Sequence, residues 1–334
     1  MPKRVPVLVV AGFLGAGKTT LINHLLRNVR GTRIGVIVND FGSVNIDAMM
    51  VSGQADAIAS LANGCLCCEV DVSGLDRMLG KLTRPRRGMD VVVIEASGLA
   101  EPRDLVRMVS ASANERVEYG GLVEVVDAVG FERSLDRHPE LAAHLRCADL
   151  VVLNKTDRLA AAERDRIGAL VAELAGGRAP IRVEHGRLDP ELLFDARAED
   201  GRRRSAQLSF DELPEYRQAD HPHARYDSVA YHGAEPMDAR LFMRFLDTRP
   251  AEVYRMKGHV CFLTAEGNQT FTVHTVGDFV RFEQVRGARL TELVLIGTGL
   301  RPAELEAGLD DCRATERTAA DPQGMLRVLR LAEA

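Results

Sequence analysis

Nothing in this sequence is built to enter a membrane or to lie along a nucleic acid. The apolar run near the start, Val5 to Val10, is six residues long, whereas a helix needs about twenty to cross a bilayer. The glycine-rich stretch behind it is not a signal-peptidase site, and no other segment is long and apolar enough to span. Charge of one sign is also missing. The 43 Lys and Arg are balanced by 48 Asp and Glu, for a net charge of −5 and a pI near 6.0, so no basic surface is indicated for a nucleic acid or an anionic lipid. Cysteine is scarce and unevenly placed: of six, Cys65, Cys67 and Cys68 sit together while Cys147, Cys261 and Cys312 are scattered. That is no disulfide framework. The expectation is a cytoplasmic chain whose thiols stay reduced or bind metal, with neither nucleic acid nor membrane as a partner. No internal repeat is present.

What is there is an ordinary globular composition, 46% hydrophobic and 27% charged over 334 residues, enough for two domains. The first half alternates apolar, β-branched runs (5–10, 33–38, 90–95, 122–126, 150–153, 180–183) with amphipathic stretches (19–29, 72–82, 102–110, 140–145, 161–174). Strand–helix alternation with strands apolar throughout predicts an α/β fold, a parallel sheet with helices on both faces. From about Glu199 the chain turns polar, with Gly201-Arg202-Arg203-Arg204 and prolines at 214 and 222, which reads as a linker. Beyond Arg225, Val229 and Tyr231 alternate with polar neighbours, and Leu241, Phe242, Phe245 and Leu246 fit one helical face. Strands are expected near 260–264, 270–276 and 292–296, and Pro302 opens a further helix. The expected division is a P-loop domain over 1–198, a linker over 199–224, a smaller α+β domain over 225–314 and a tail over 315–334, loose or ending in a short helix.

The strongest local signal is Gly12-Phe13-Leu14-Gly15-Ala16-Gly17-Lys18-Thr19, a complete G-x-x-x-x-G-K-[ST] between an apolar strand and a helix. Glycines there let backbone N–H groups turn inward around phosphate oxygens, and the helix N-terminus favours negative charge. Gly12, Gly15, Ala16, Gly17, Lys18, Thr19 and Thr20 are the candidate phosphate contacts. Lys18 is expected on the β- and γ-phosphates and Thr19 on Mg²⁺. Val91-Val92-Val93-Ile94-Glu95 reads as the companion strand, ending in an acid, Glu95, beside that magnesium.

A second strand, Val151-Val152-Leu153, runs into Asn154-Lys155-Thr156-Asp157, an N-K-x-D pattern. The Asp157 carboxylate can accept from guanine N1 and N2, a donor pair that adenine lacks, and a buried acceptor facing adenine would go unpaired. Asn154 is expected on the O6/N7 edge and the Lys155 stem over the ring. The nucleotide is therefore GTP or GDP. A small-molecule kinase, which would use ATP, is disfavoured by the same four residues.

Cys65-Leu66-Cys67-Cys68 adds soft ligands. In an extended segment a C-x-C pair places both sulfurs on one side, suited to Zn²⁺, with Co²⁺ or Fe²⁺ as alternatives. A buried thiol cluster or a redox pair is the competing account, though adjacent cysteines bridge only with strain. The cluster lies between the P-loop and Glu95, where a segment ordered by γ-phosphate and Mg²⁺ could hold the sulfurs differently in the GTP and GDP states. No side chain is an obvious general base. Lys18, Glu95 and Asp40 are the candidate catalytic residues, Asp40 or Asp47 as orienter of the attacking water. His221 and His223 in the linker are a pair that more often stays unliganded.

These elements together resemble the CobW-type family of P-loop GTPases, similar to the nickel GTPases that service urease and hydrogenase. The resemblance runs from Gly12 through Cys65–Cys68, Glu95, Asp127 and Asn154–Asp157 into Arg255-Met256-Lys257-Gly258 and Leu295-Ile296-Gly297. It implies a metallochaperone with slow intrinsic GTP hydrolysis, transfer of metal to a client metalloprotein, and in some members a homodimer. Many relatives read E-N-E-F-G-E where this chain reads Val38-Asn39-Asp40-Phe41-Gly42-Ser43. Two flanking acids are thus absent, and the metal site must lean on the cysteines with Asp40, Glu69 or a second chain. The alternative from another class is a regulatory GTPase switch in which the cysteines form a structural zinc knot.

Overall fold

The computed structural model describes residues 4–29, 32–38, 57–60, 72–194, 227–285, 290–315 and 323–333. The linker reading, His221 and His223, Asp40, Asp47, Glu69 and the cluster Cys65, Cys67 and Cys68 fall outside them.

The first half forms β1 (Val5–Ala11), α1 (Lys18–Asn28), β2 (Ile34–Val38), β3 (Ala57–Ser60), α2 (Val72–Leu82), β4 (Val91–Glu95), α3 (Pro102–Ser110), β5 (Val117–Asp127), α4 (Phe131–Arg137), α5 (Leu141–Cys147), β6 (Leu150–Asn154), α6 (Ala161–Leu174) and β7 (Ile181–Arg182). The strands pair in parallel in the order β3-β2-β4-β1-β5-β6-β7. This is the expected α/β architecture. The central strands are buried along their length, and the pleat sends alternate residues to opposite faces. Val7, Val9, Ile94, Leu122 and Val126 pack with Leu75, Leu79, Leu105, Leu145 and Val171 of the helices on one face. Leu8, Val10, Val93, Val123 and Val152 pack with Leu21, Ile22 and Leu25 of α1 on the other.

β5 starts five residues before the expected 122, because Gly120-Gly121 looks like a strand breaker in sequence. In the sheet the pair makes a bulge. The register against β1 shifts between Val7 and Leu8, Gly121 takes φ 117°, and a Cβ on Gly120 would meet Pro6 Cβ at 3.0 Å. Pro6 has no N–H to give to the ladder, and the bulge sits beside it.

The second half forms β8 (Asp227–Gly233), α7 (Ala239–Thr248), β9 (Val253–Thr264), β10 (Gly267–Val276), β11 (Phe279–Val285), β12 (Thr291–Gly297), α8 (Pro302–Asp310) and α9 (Leu326–Glu333). Its strands make an antiparallel sheet, β11-β10-β9-β12-β8, over a core built on Phe242, Phe262, Phe271 and Phe282. β11 and the first half of β9 were not expected from the sequence. Asp238 caps α7 by accepting from the N–H groups of Arg240 and Leu241, a standard use of Asp at a helix start. The α9 segment packs Val328 into this core.

The two halves share a boundary. Tyr254 and Val276 of the second sheet join the α1-side core of the first. Arg255, fully buried, donates to the carbonyls of Glu191 and Phe194 (2.8 Å for Phe194). The Asp278 N–H donates to Asp149 O at 3.0 Å, and Arg178 pairs with Asp278.

Candidate nucleotide site

β1 delivers the chain to the phosphate loop, and α1 leaves it at Lys18. Gly12, Gly15 and Gly17 all hold positive φ, at 146°, 74° and 101°, a region closed to most side chains. Gly12 also lies against the Val125 carbonyl so closely that a Cβ would collide with it. α1 begins with no side-chain cap and no acid in its first turn, which leaves its orphan N–H groups and positive dipole end facing the loop. Lys18, with 9% relative exposure, directs Nζ back onto the loop, donating to Gly12 O at 2.9 Å and Phe13 O at 3.4 Å. Gly15, Ala16, Gly17 and Thr20 line or follow the same turn.

β4 pairs with β1 so that Glu95 is level with Val10, and this register brings two distant residues together. The Thr19 hydroxyl donates to Glu95 Oε1 at 2.6 Å, with Glu95 buried at the strand end. A hydroxyl and a carboxylate beside a phosphate loop are the donor set that Mg²⁺ takes up through one or two protein oxygens and water. The residues therefore fit that ion.

The N-K-x-D segment has a structural role that the motif alone does not show. Asn154 is buried and its amide is used inside the protein: Nδ2 donates to Ala16 O at 2.9 Å, and Oδ1 accepts from the Gly186 N–H at 2.9 Å. It braces the phosphate loop against the loop after β7. The expected contact with the guanine O6/N7 edge is at most an addition to that role. Lys155 takes φ 62°, and its Nζ pairs with Asp127 Oδ2 at 2.7 Å. Asp157 keeps a quarter of its side chain exposed, with His185 Nε2 at 3.7 Å from Oδ2. Lys155 and His185 are the non-glycine residues with positive φ among those described, so the two strained positions both border this pocket.

Three contributors escaped the sequence reading. His185 and Gly186 lie in a loop with no pattern of its own; only Gly186 (φ 66°) signals a turn, and its hypothetical Cβ would meet Leu21 N at 2.8 Å. Glu124 reads as part of a strand but its side chain is buried beneath the phosphate loop. Burial pushes its carboxyl up to about 8, Lys18 opposes the rise, and Glu101 adds to it. The candidate water-orienting Asp40 and the three cysteines lie outside the described residues. Among those described, no group of three His, Cys, Asp or Glu is arranged to hold a metal ion, and no helix is long and apolar enough to cross a membrane.

Residues 6–181 match the family model described as CobW/HypB/UreG, nucleotide-binding domain, and residues 226–313 match that of the Cobalamin synthesis protein cobW C-terminal domain. The chain is similar to the zinc chaperone YjiA of Escherichia coli (strain K12), 34% identical over 198 residues, 57% of this chain and 61% of that protein. Similarity to the zinc chaperone CobW of a Sinorhizobium species is 31% over 337 residues, 88% of this chain and 93% of that one. The match thus spans about three fifths of the first relative and nearly all of the second. Among solved structures, the Zn(II)-bound YjiA GTPase from E. coli is 22% identical with a TM-score of 0.42, covering 93% of this chain and 100% of that one.

Proposed function

Since the chain belongs to the CobW/HypB/UreG family, with a CobW C-terminal domain, we propose that it is a GTP-binding and GTP-hydrolysing metallochaperone, with zinc as its cargo and a client metalloprotein as its acceptor. The observation that carries the nucleotide half is the convergence of Lys18, the Thr19–Glu95 pair and Asn154 on one phosphate loop, with Asp157 in the same motif as Asn154. Gly12 to Thr20 would wrap the phosphates, Lys18 would leave its loop carbonyls for the β- and γ-phosphates, and Asp157 would select guanine. Thr19 and Glu95 would hold Mg²⁺, which supplies charge neutralisation on the phosphates when bound. In hydrolysis, water adds to the γ-phosphorus as its bond to the β-γ bridging oxygen breaks, giving GDP and phosphate. The residues' task in that step is positioning, and Asp40 remains our candidate for orienting the water.

The metal half rests on Cys65, Cys67 and Cys68 and on the naming of both relatives as zinc chaperones. Thiolates also accept Co²⁺ and Fe²⁺. Zinc is preferred because the names of these relatives specify it. Slow turnover without a partner and association as a homodimer belong to the same reading. The test is a competition titration with a chromophoric zinc chelator on the protein loaded with GDP or with a non-hydrolysable GTP analogue. Coupling predicts zinc affinities that differ at least tenfold; equal affinities would reduce the cysteines to a structural knot.

A further inference from the structure

Behind the phosphate loop lies a cavity of about 40 Å³, partly open to solvent, between Phe13, Leu14 and Ala16 above and Glu124, Phe131 and Leu145 below. Most of its lining is apolar, and of the three polar residues, Glu124, Asp127 and Ser134, Glu124 is the buried one. Its strand neighbours Leu122 and Val126 point to the helix-covered face, and the pleat sends Glu124 the same way. The side chain is 3% exposed and its Oε2 has no hydrogen-bond partner. An ionised carboxylate in such a place is costly, whereas a protonated one is tolerable. Packing explains an aliphatic residue here; it does not explain an acid.

The charges that face Glu124 come from few elements. From α1, Lys18 favours the carboxylate; from the start of α3, Glu101 opposes it. Cys147 at the end of α5 feels Glu124 and is bonded by Arg103 of α3, and His144 of α5 is held by Glu101 at 3.2 Å. Asp127 lines the cavity but pairs with Lys155. β1 and β6 present only Ala11 and Val151 opposite Glu124. Lys18 is thus the cation that acts on this carboxyl, and it is also the residue that nucleotide must recruit. Phosphate takes up the lysine's charge and brings negative charge of its own to the other side of the loop.

We propose that Glu124 is a proton-exchanging positioning residue: it takes a proton from solvent when Lys18 is committed to phosphate and returns it when the lysine is released. This rests on the nucleotide-binding reading above. The carboxyl titrates at about 8 with Lys18 folded back, and bound phosphate raises it further, so bound nucleotide and proton favour each other. Alkaline pH then weakens nucleotide binding through this one group.

The experiment is calorimetric titration of the full chain with GDP and saturating Mg²⁺ at pH 7, 8 and 8.5, in two buffers of different ionisation enthalpy, for wild type and Glu124→Gln. Glutamine is isosteric with the protonated acid and cannot titrate. Wild type should take up about half a proton at pH 8 beyond any uptake by the variant, and should lose affinity about fourfold more than the variant between pH 7 and 8.5. Titration of the nucleotide itself is common to both proteins and cancels. Matching pH slopes and proton counts in the two proteins would overturn the proposal. Should Glu124→Gln not fold, absence of proton uptake by wild type at pH 8 does so alone. Failure of either protein to bind GDP at any pH would count instead against the nucleotide site.

Discussion

Asparagine 154 offers the sharpest separation between structural support and base recognition. Replacing it with alanine removes the Nδ2 donor to Ala16 O and the Oδ1 acceptor for the Gly186 N–H, both buried. Each orphaned buried group costs about 1–3 kcal/mol, so Asn154→Ala should destabilise the nucleotide-free protein by roughly 2–5 kcal/mol. For a domain of this size that is a fall of about 4–20 °C in Tm, taking about 2–4 °C per kcal/mol. The chain has no tryptophan, so melting is best followed by far-ultraviolet circular dichroism. Asn154→Asp keeps the acceptor but sets a carboxylate oxygen against the Ala16 carbonyl, and should be no better than alanine. Asp157→Asn is the contrasting variant: it should melt with wild type while losing preference for GDP over other purine diphosphates. If nucleotide-free Asn154→Ala melts with wild type and only its GDP affinity drops, the brace argued here is wrong and Asn154 acts through the base alone.

Lys18→Ala removes the charged donor expected on the β- and γ-phosphates; at about 1.5–3 kcal/mol per charge-assisted bond, affinity for a non-hydrolysable GTP analogue should fall a hundredfold or more by fluorescent-nucleotide titration. Retained affinity would show that the loop backbone suffices. Serine at Cys65, Cys67 and Cys68 together should remove bound zinc, read by metal analysis after gel filtration, while leaving the melt unchanged; a collapsed melt would favour the structural knot. Glu124 also predicts a pH dependence of stability. Its folded-state value near 8 exceeds the ordinary 4.5, so the folded protein holds an extra proton between those values, and stability falls as pH rises through that window. The advantage of Glu124→Gln over wild type should grow by up to about 1.4 kcal/mol per pH unit until about pH 8 and then level off. A constant difference across denaturant melts at pH 5, 6.5 and 8 would refute this.

The legible parts of the molecule were those where one residue type has one use. A complete phosphate-loop pattern flanked by a strand and a helix fixes both glycines and lysine, and the apolar runs 91–95 and 150–153 could only be buried parallel strands. Asn154 is found by its motif, but its bonds to Ala16 and Gly186 are not, because a motif names a residue without showing which protein neighbours it reaches. The strand expected from 122 extends back through a bulge at Gly120-Gly121; the bulge needs the facing Pro6 to make sense of it, and that pairing is long-range. Glu124 was silent because an acid inside a strand is ordinary in sequence. Only the sheet order, with β5 between β1 and β6 and helices over that face, turns it into a buried charge.

That sheet order also explains why the second domain sits where it does. Five helices of the first half, α2 to α6, contribute to one face of the parallel sheet, whereas the opposite face has α1. A parallel sheet needs both faces covered. The remainder is closed by Leu188, Leu192, Leu193 and Phe194 and, from the second domain, by Tyr254 and Val276. Arg255 fixes this arrangement, since its buried guanidinium donates to Glu191 and Phe194 carbonyls within the closing segment. The same segment begins at the loop that Asn154 holds against the phosphate turn through Gly186. The base-side loop and the domain contact are therefore adjacent parts of one stretch, 183–194, and a variant that loosens either end of it acts on both.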